Sequence, residues 1–330
     1  MNAPIPFDPL PAGAFCARLS QLAAIDVDGA DARGFLHGQL SSDVKALAVG
    51  DAQYASYNSP KGRMLATLVV WRRSESKFCL LLAADLATVI ARRLTMFVMR
   101  AQVLLAPSAR PLYGVMGNGA GDAIARLVPA AVGVGLGVAD VTRTHGWTSV
   151  QAGDRDLLQF PDGRWLLDGG DPPASDVTML APADESLWQW CAIRAGVPWI
   201  TAATSDKLVA QSANWELVGG VDFRKGCYPG QEIIARMQYL GRLKERLYAL
   251  HAPAPANTLP PGTSISIAGH EQAAGIVVNA ASTPSGGSDL LAVLNIDTAD
   301  AAAPLAAGVS LATRALPYAV PAIANVRVKL

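Results

Sequence analysis

The run Lys225-Gly226-Cys227-Tyr228-Pro229-Gly230-Gln231-Glu232 constrains the backbone more tightly than any other stretch of this 330-residue chain. Its two glycines open backbone angles closed to other residues, and Pro229 stiffens the turn between them. Gln231 to Met237 then reads as a helix, with Glu232 in a first turn where a negative side chain suits the dipole. Cys227 is therefore expected near a helix N-terminus, with Lys225 close by. A thiol so placed should ionise more readily than a free one, and only the thiolate attacks electrophiles. The competing reading is a small buried cysteine beside a solvated lysine.

The rest of the chain divides by texture. Ala23 to Val27 and Gln53 to Tyr57 read as strands, and Met64 to Trp71 with Lys77 to Ala83 as a hairpin. Asp31 is placed to cap a helix bearing Phe35, Leu36, Gln39 and Leu40 at helical spacing. Asp85 is placed to cap a second helix, with Leu86, Val89, Ile90, Leu94 and Phe97 on one side. A strand over Ala101 to Ala106 follows. Strand-strand-helix-strand is the wiring of split β-α-β units, which favours an α+β architecture over a doubly wound parallel sheet.

Leu112 to Met116, Thr148 to Ala152, Asp156 to Phe160 and Arg164 to Asp168 are further strands, and Asp122 to Leu127 a short helix. Asp184 starts a helix carrying Leu187, Trp188, Cys191, Ala192 and Ala195, ended by Gly196 and Pro198. Beyond residue 244 only short strands follow: Arg246–Ala252, Ser264–Ala268, Gly275–Asn279, Leu290–Asn295 and Val309–Ala312. That is the pattern of a small β-barrel or sandwich. The Ala-rich piece from Ala299 to Ala307 reads as a surface loop.

Composition narrows the function classes. Hydrophobic residues make up 51% and charged residues 16%, with a formal net charge of zero, so a large core is possible and a strongly basic nucleic-acid surface is not expected. Cys16, Cys79, Cys191 and Cys227 lie far apart without a CxxC, which fits a reducing cytoplasm and not a disulfide framework. There is no apolar run of membrane-spanning length and no secretory leader at the start. The histidines, His37, His145, His251 and His270, have no metal-ligand spacing and read as structural or exposed. Gly117-Asn118-Gly119-Ala120-Gly121 departs from GxGxxG spacing and reads as a plain turn.

The stretch from Gly219 to Glu232 resembles the signature of YgfZ-type folate-binding proteins, relatives of the glycine-cleavage T-protein (aminomethyltransferase). Other landmarks are similar along the chain: Gly29-Ala30-Asp31-Ala32 with Phe35-Leu36, Gln39-Leu40 and Asp43-Val44; Lys61-Gly62-Arg63; Ala195 to Ile200; Gln211, Asn214 and Glu216; and Leu316-Pro317-Tyr318. The resemblance implies two interlocked ferredoxin-like α/β domains plus a C-terminal β-barrel around a central cavity. In linear terms these span residues 1–110, 111–244 (with the signature, interlocked with the first) and 245–330.

It further implies a tetrahydrofolate-binding protein that supports maturation or repair of iron–sulfur enzymes, including those that modify tRNA. Iron–sulfur assembly or client proteins would be its partners, with no direct nucleic-acid contact and no membrane. Cys227 and Lys225 would carry the chemistry; Trp188, Arg194, Tyr228, Gln231 and Glu232 would face the folate. For Trp188, stacking on a pterin competes with a plain core role. No resident metal is expected, since one thiol cannot hold a cluster.

Two departures from the T-protein bear on catalysis. Ala66 and Thr67 stand where it carries paired aspartates, and neither exchanges a proton at neutral pH. Arg194 replaces its pterin-gripping carboxylate and cannot accept the pterin's donor hydrogens. A folate-dependent one-carbon transferase with shifted catalytic groups, and a non-catalytic assembly scaffold, remain as alternatives.

Overall fold

A computed structural model describes residues 4–127, 146–152, 155–170, 180–241, 243–267, 272–299 and 304–321. The first part of the chain contains β1 (Phe15–Arg18), β2 (Leu22–Asp28), α1 (Ala32–Gln39), β3 (Ala52–Asn58), β4 (Met64–Arg72), β5 (Lys77–Ala83), α2 (Ala84–Thr95) and β6 (Leu104–Pro107). Next come β7 (Leu112–Met116), α3 (Ala120–Leu127), β8 (Thr148–Ala152), β9 (Arg155–Gln159), β10 (Trp165–Asp168), β11 (Ala181–Pro182), α4 (Glu185–Arg194) and α5 (Gln231–Tyr239). The last part holds β12 (Glu245–Ala252), β13 (Ser264–Ile267), β14 (Gly275–Ser282), β15 (Ser288–Asn295), β16 (Pro304–Ala306), β17 (Val309–Ser310) and β18 (Ala312–Arg314).

These strands form three sheets, ordered β3-β4-β5-β2-β6, β11-β1-β7-β10-β9-β8 and β17-β16-β13-β14-β15-β12-β18. All named pairings are antiparallel except β1 with β11. That agrees with the α+β expectation. β4 and β5 are buried along almost their whole length, because the sheet's two faces are both covered; this is why Met64 to Trp71 reads as a continuous apolar run. In the third sheet the two edge strands β17 and β18 are separated in sequence by Leu311 alone. The sheet must curl to bring its edges together, and it forms a nearly closed barrel.

β1 lies in a proline-bearing segment with no strand signal of its own. It pairs with β7, so the chain starts in the second sheet, crosses to the first for β2 to β6, and returns. The two α/β layers are thus interlocked by topology, and one continuous apolar cluster runs through both.

Four local expectations need correction. Asp31 precedes α1 but makes no side-chain cap; its carboxylate accepts from the Gln102 amide at 2.8 Å instead. Asp85 lies inside the first turn of α2 and accepts from the Ala202 amide at 2.9 Å, a tertiary contact in place of a cap. Val89 and Phe97 do not join the buried face of α2; they are 60% and 47% exposed, whereas Leu86, Ile90 and Leu94 are buried. The Ala-rich piece is not all loop, since residues 304–306 form β16 and pair with β13. His145 and His270 lie outside the described residues.

By contrast, Asp184 caps α4 as expected, accepting from the Ser186 amide at 2.8 Å. The glycine turn before α3 is tied to the chain start, with Asn118 accepting from the Gly13 amide at 2.9 Å. Among the described residues no helix is long and apolar enough to cross a membrane.

Candidate functional site

The turn that carries Cys227 is held from behind at three points. Asp222 donates its amide to the Ser41 carbonyl at 2.9 Å, and the Ser41 hydroxyl donates to the Gly220 carbonyl at 2.5 Å. Lys225, only 7% exposed, turns inward and donates its ammonium to the carbonyls of Leu40 (2.6 Å) and His37. Those carbonyls close the C-terminal end of α1, where the unpaired acceptors of a helix favour a cation. Lys225 is therefore a buried helix cap and not a solvated turn lysine. Burial pulls its pKa down to about 8, against the opposing pull of Asp43, Asp222 and Cys227.

The third hold is glycine on glycine. Gly230 (φ 78°) precedes α5, and a methyl there would stand 2.5 Å from the Ser59 carbonyl oxygen and 2.7 Å from the Gly62 Cα. Gly62 (φ 71°) in turn has Ile233 against it, at 2.8 Å from where its own methyl would be. Lys61-Gly62-Arg63 and the signature are thus one packed unit. Nearby, the Gln211 side-chain amide donates to the Ile234 carbonyl at 2.8 Å. Landmarks at residues 37–41, 59–63 and 211 thus converge on the signature turn and the helix it opens.

Cys227 itself is exposed, whereas Cys79 and Cys191 are buried, with thiols raised to about 11 by burial, and Cys16 is half-buried and also raised. Cys227 stands three residues before Gly230, so it precedes the helix and does not sit on its first turn. Tyr228 is buried beneath it, its ring 4.7 Å from the Lys225 ammonium and its hydroxyl pushed up to about 12 by burial and then by Asp222. Gln231 reaches back to the Lys225 carbonyl at 3.4 Å, and Glu232 is exposed in the first turn of α5.

One neighbour was absent from the candidates. His37 brings its Nε2 to within 3.6 Å of where a methyl on Gly226 would be, one residue from Cys227. Asp43 Oδ1 lies 3.0 Å from its Nδ1. Burial, then Lys225, holds the imidazole below its usual pKa, so it is neutral at pH 7. Nothing in the spacing of His37 and Asp43 marks them, because Gly226 lies 189 residues beyond His37 in sequence.

The residues on α4 are differently placed. Trp188 is 4% exposed; the Arg164 guanidinium lies over its ring at 4.2 Å and Phe160 meets it edge-on at 5.3 Å. A methyl on Gly114 would stand 2.4 Å from its Cε3. Arg164 also donates to the Trp188 carbonyl at 3.0 Å and pairs with Asp162 at 2.7 Å. Arg194 donates to the Asp8 carbonyl at 3.0 Å and lies 5.8 Å from the Trp190 ring. The helix packs on β1, β7, β14 and β15, while the Cys227 turn packs on α1 and the β3–β4 turn. Lys225, Cys227, Tyr228 and Gln231 are brought together; Trp188 and Arg194 are not in contact with them.

At the position of the T-protein aspartates, Ala66 and Thr67 are fully buried, and the Thr67 hydroxyl accepts from the Ile200 amide at 2.9 Å. That stretch is committed to holding the Ala195–Ile200 landmark. The other end of the same landmark is closed by Tyr318, whose hydroxyl donates to the Gly196 carbonyl at 2.8 Å. Among the described residues no group of three or more His, Cys, Asp or Glu is arranged to hold a metal.

No family model matches the sequence. The "tRNA-modifying protein YgfZ" of Edwardsiella ictaluri is 30% identical over 316 residues, covering 90% of this chain and 91% of the relative. The protein of the same name from Klebsiella pneumoniae is 31% identical over 244 residues, covering 72% and 71%. Among solved structures, the glycine cleavage system aminomethyltransferase T of Bartonella henselae superposes with a TM-score of 0.71 at 15% identity, over 93% of this chain and 87% of that one. That likeness is one of fold.

Proposed function

Because this chain belongs to the YgfZ family, whose members are named tRNA-modifying proteins, we propose that it sustains iron–sulfur enzymes, those that modify tRNA among them, with Cys227 as its working thiol. Tetrahydrofolate or a one-carbon derivative is its ligand, iron–sulfur assembly or client proteins are its partners, and the cytoplasm is its compartment. The observation that carries the reading is the presentation of Cys227: the most exposed of four cysteines, on a loop whose backbone is fixed by Lys225, Gly230 and Asp222. A loop held that rigidly around an open thiol favours chemistry at the sulfur over packing. Lys225 acts through the backbone of α1 and through its charge near the sulfur, and Tyr228, Gln231 and Glu232 shape the turn. Residues 1–110, 111–244 and 245–330 serve as the approximate domain division, with β1 exchanged into the second sheet.

Ordinary aminomethyl transfer is disfavoured, since Thr67 is occupied by a backbone amide and no carboxylate stands at that position. Trp188 fits the packing role better than the stacking one, because Arg164 already covers its ring. The decisive experiment is rescue of a deletion strain with wild-type or Cys227→Ala protein, scored by the activity of an iron–sulfur tRNA-modifying enzyme. The alanine variant should fail; full rescue would reduce Cys227 to a surface residue. Titration of purified protein with tetrahydrofolate, followed by tryptophan fluorescence and calorimetry, tests the ligand. Saturable binding is expected, and its absence by both methods removes folate from the account.

A further inference from the structure

The His37 carbonyl helps to hold the Cys227 turn through Lys225, but the side chains of His37 and Asp43 take no part in that hold. Asp43 is fixed by its own backbone, its Oδ1 accepting from the amides of Lys45 (2.8 Å) and Ala46 (3.1 Å), and the same oxygen lies 3.0 Å from His37 Nδ1. The contact lacks the alignment of a full hydrogen bond, so its effect is electrostatic: a carboxylate at Nδ1 draws the ring's single proton to that nitrogen. Nε2 is then left with its lone pair, on the side of the ring that faces Gly226.

We propose that His37 Nε2 is the proton acceptor for the Cys227 thiol and that Asp43 is the residue that orients it. The step breaks Sγ–H and forms Nε2–H, with the electron pair remaining on sulfur; the imidazolium so formed is stabilised by Asp43. The inference rests on the reading of Cys227 as the working thiol, and it goes beyond it by naming the base. The charged groups that act on the ring are Lys225 from the signature turn and Asp43 and Lys45 from the segment after α1. Cys227 follows Gly226 directly and acts on Lys225, and Arg33, one turn earlier on α1, is directed to the Lys45 carbonyl. Lys225 and Lys45 oppose a charge on His37, while Asp43 favours one. The ring therefore stays neutral, able to accept a proton, until the thiol offers one. Lys225 cannot serve as acceptor while its ammonium is donated to the carbonyls of His37 and Leu40.

The test is the rate at which iodoacetamide alkylates Cys227 in the full-length protein, read by mass spectrometry of the Cys227 peptide between pH 5.5 and 9. His37→Gln should lower the rate at pH 7 by about tenfold and make it rise about tenfold per pH unit, whereas wild type should be flatter. Asp43→Asn should lower it by about threefold, and Lys45→Gln should leave the shape of the profile unchanged. A His37→Gln profile superimposable on wild type would overturn the proposal. Should His37→Gln fail to fold, the NMR titration of the His37 ring in wild type and Cys227→Ala decides the matter: a displaced midpoint supports coupling, and coincident curves overturn it. The rescue experiment is independent. An unchanged alkylation profile with failed rescue by Cys227→Ala removes His37 and leaves the proposed function standing.

Discussion

The turn that carries Cys227 and the helix that carries Trp188 put their candidate side chains in opposite situations. On the turn, the backbone is pinned by Lys225, Gly230 and Asp222 while Cys227 is exposed. On α4 the candidate ring is itself the packed object, with Arg164, Phe160 and Gly114 against it. A functional side chain has to be the loose end of a rigid frame. Trp188 is part of a frame, and Cys227 is presented by one.

The sharpest way to break this contrast is to cut both regions and compare the costs. Trp188→Ala should destabilise the protein by about 3–5 kcal/mol, the range for removing a large buried aromatic. Urea unfolding measures it. A cost near zero would mean that the ring is available to a ligand after all, and that the α4 reading is wrong.

Gly230→Ala comes next. It forces a side chain onto a left-handed backbone and into the Ser59 carbonyl, so about 2–4 kcal/mol is expected from strain and overlap together. Gly219 supplies the control: it has φ 81° but nothing within 4 Å of a methyl, so its alanine variant should cost only about 1 kcal/mol. Equal costs for the two would show that the Gly62–Gly230 contact adds nothing to the hold on the loop.

A smaller effect comes from Lys225. Burial lowers its folded-state pKa to about 8, below the unfolded value, so the unfolded chain binds more protons between those two values. Stability associated with this group is therefore full above the unfolded pKa and is lost as pH falls towards 8. Wild type should gain about 1 kcal/mol relative to Lys225→Met between pH 8 and 9.5. The window stops there because Tyr228, pushed up to about 12, works in the opposite direction once unfolded tyrosines begin to ionise. Parallel curves for the two proteins would place the lysine in solvent and weaken the picture of a turn anchored on α1.

What the sequence made legible follows from the range of the forces involved. Strands β4 and β5 and the barrel strands announce themselves by apolar runs and turn residues, since burial acts on every residue of a strand. The Asp184 cap is legible because donor and acceptor lie two residues apart. The Asp31 and Asp85 carboxylates look like caps by the same rule, but their amide partners are Gln102 and Ala202, where nothing local points. β1 is hidden for the same reason, its register being set by β7 about 100 residues later. At the site, Cys227 is legible from its glycines and proline. The inward turn of Lys225 and the approach of His37 are not, because both depend on where α1 ends.

The smallest expected change in stability belongs to the residue with the largest expected change in function. Cys227→Ser removes one exposed sulfur from a loop whose hydrogen bonds run through other groups, so its unfolding free energy should stay within about 0.5 kcal/mol of wild type. The same variant should lose rapid alkylation and fail to rescue the deletion strain. If Cys227→Ser instead unfolds as easily as Gly230→Ala, the sulfur is carrying part of the loop's packing. The distinction between a rigid frame and its free end would then no longer separate this turn from α4.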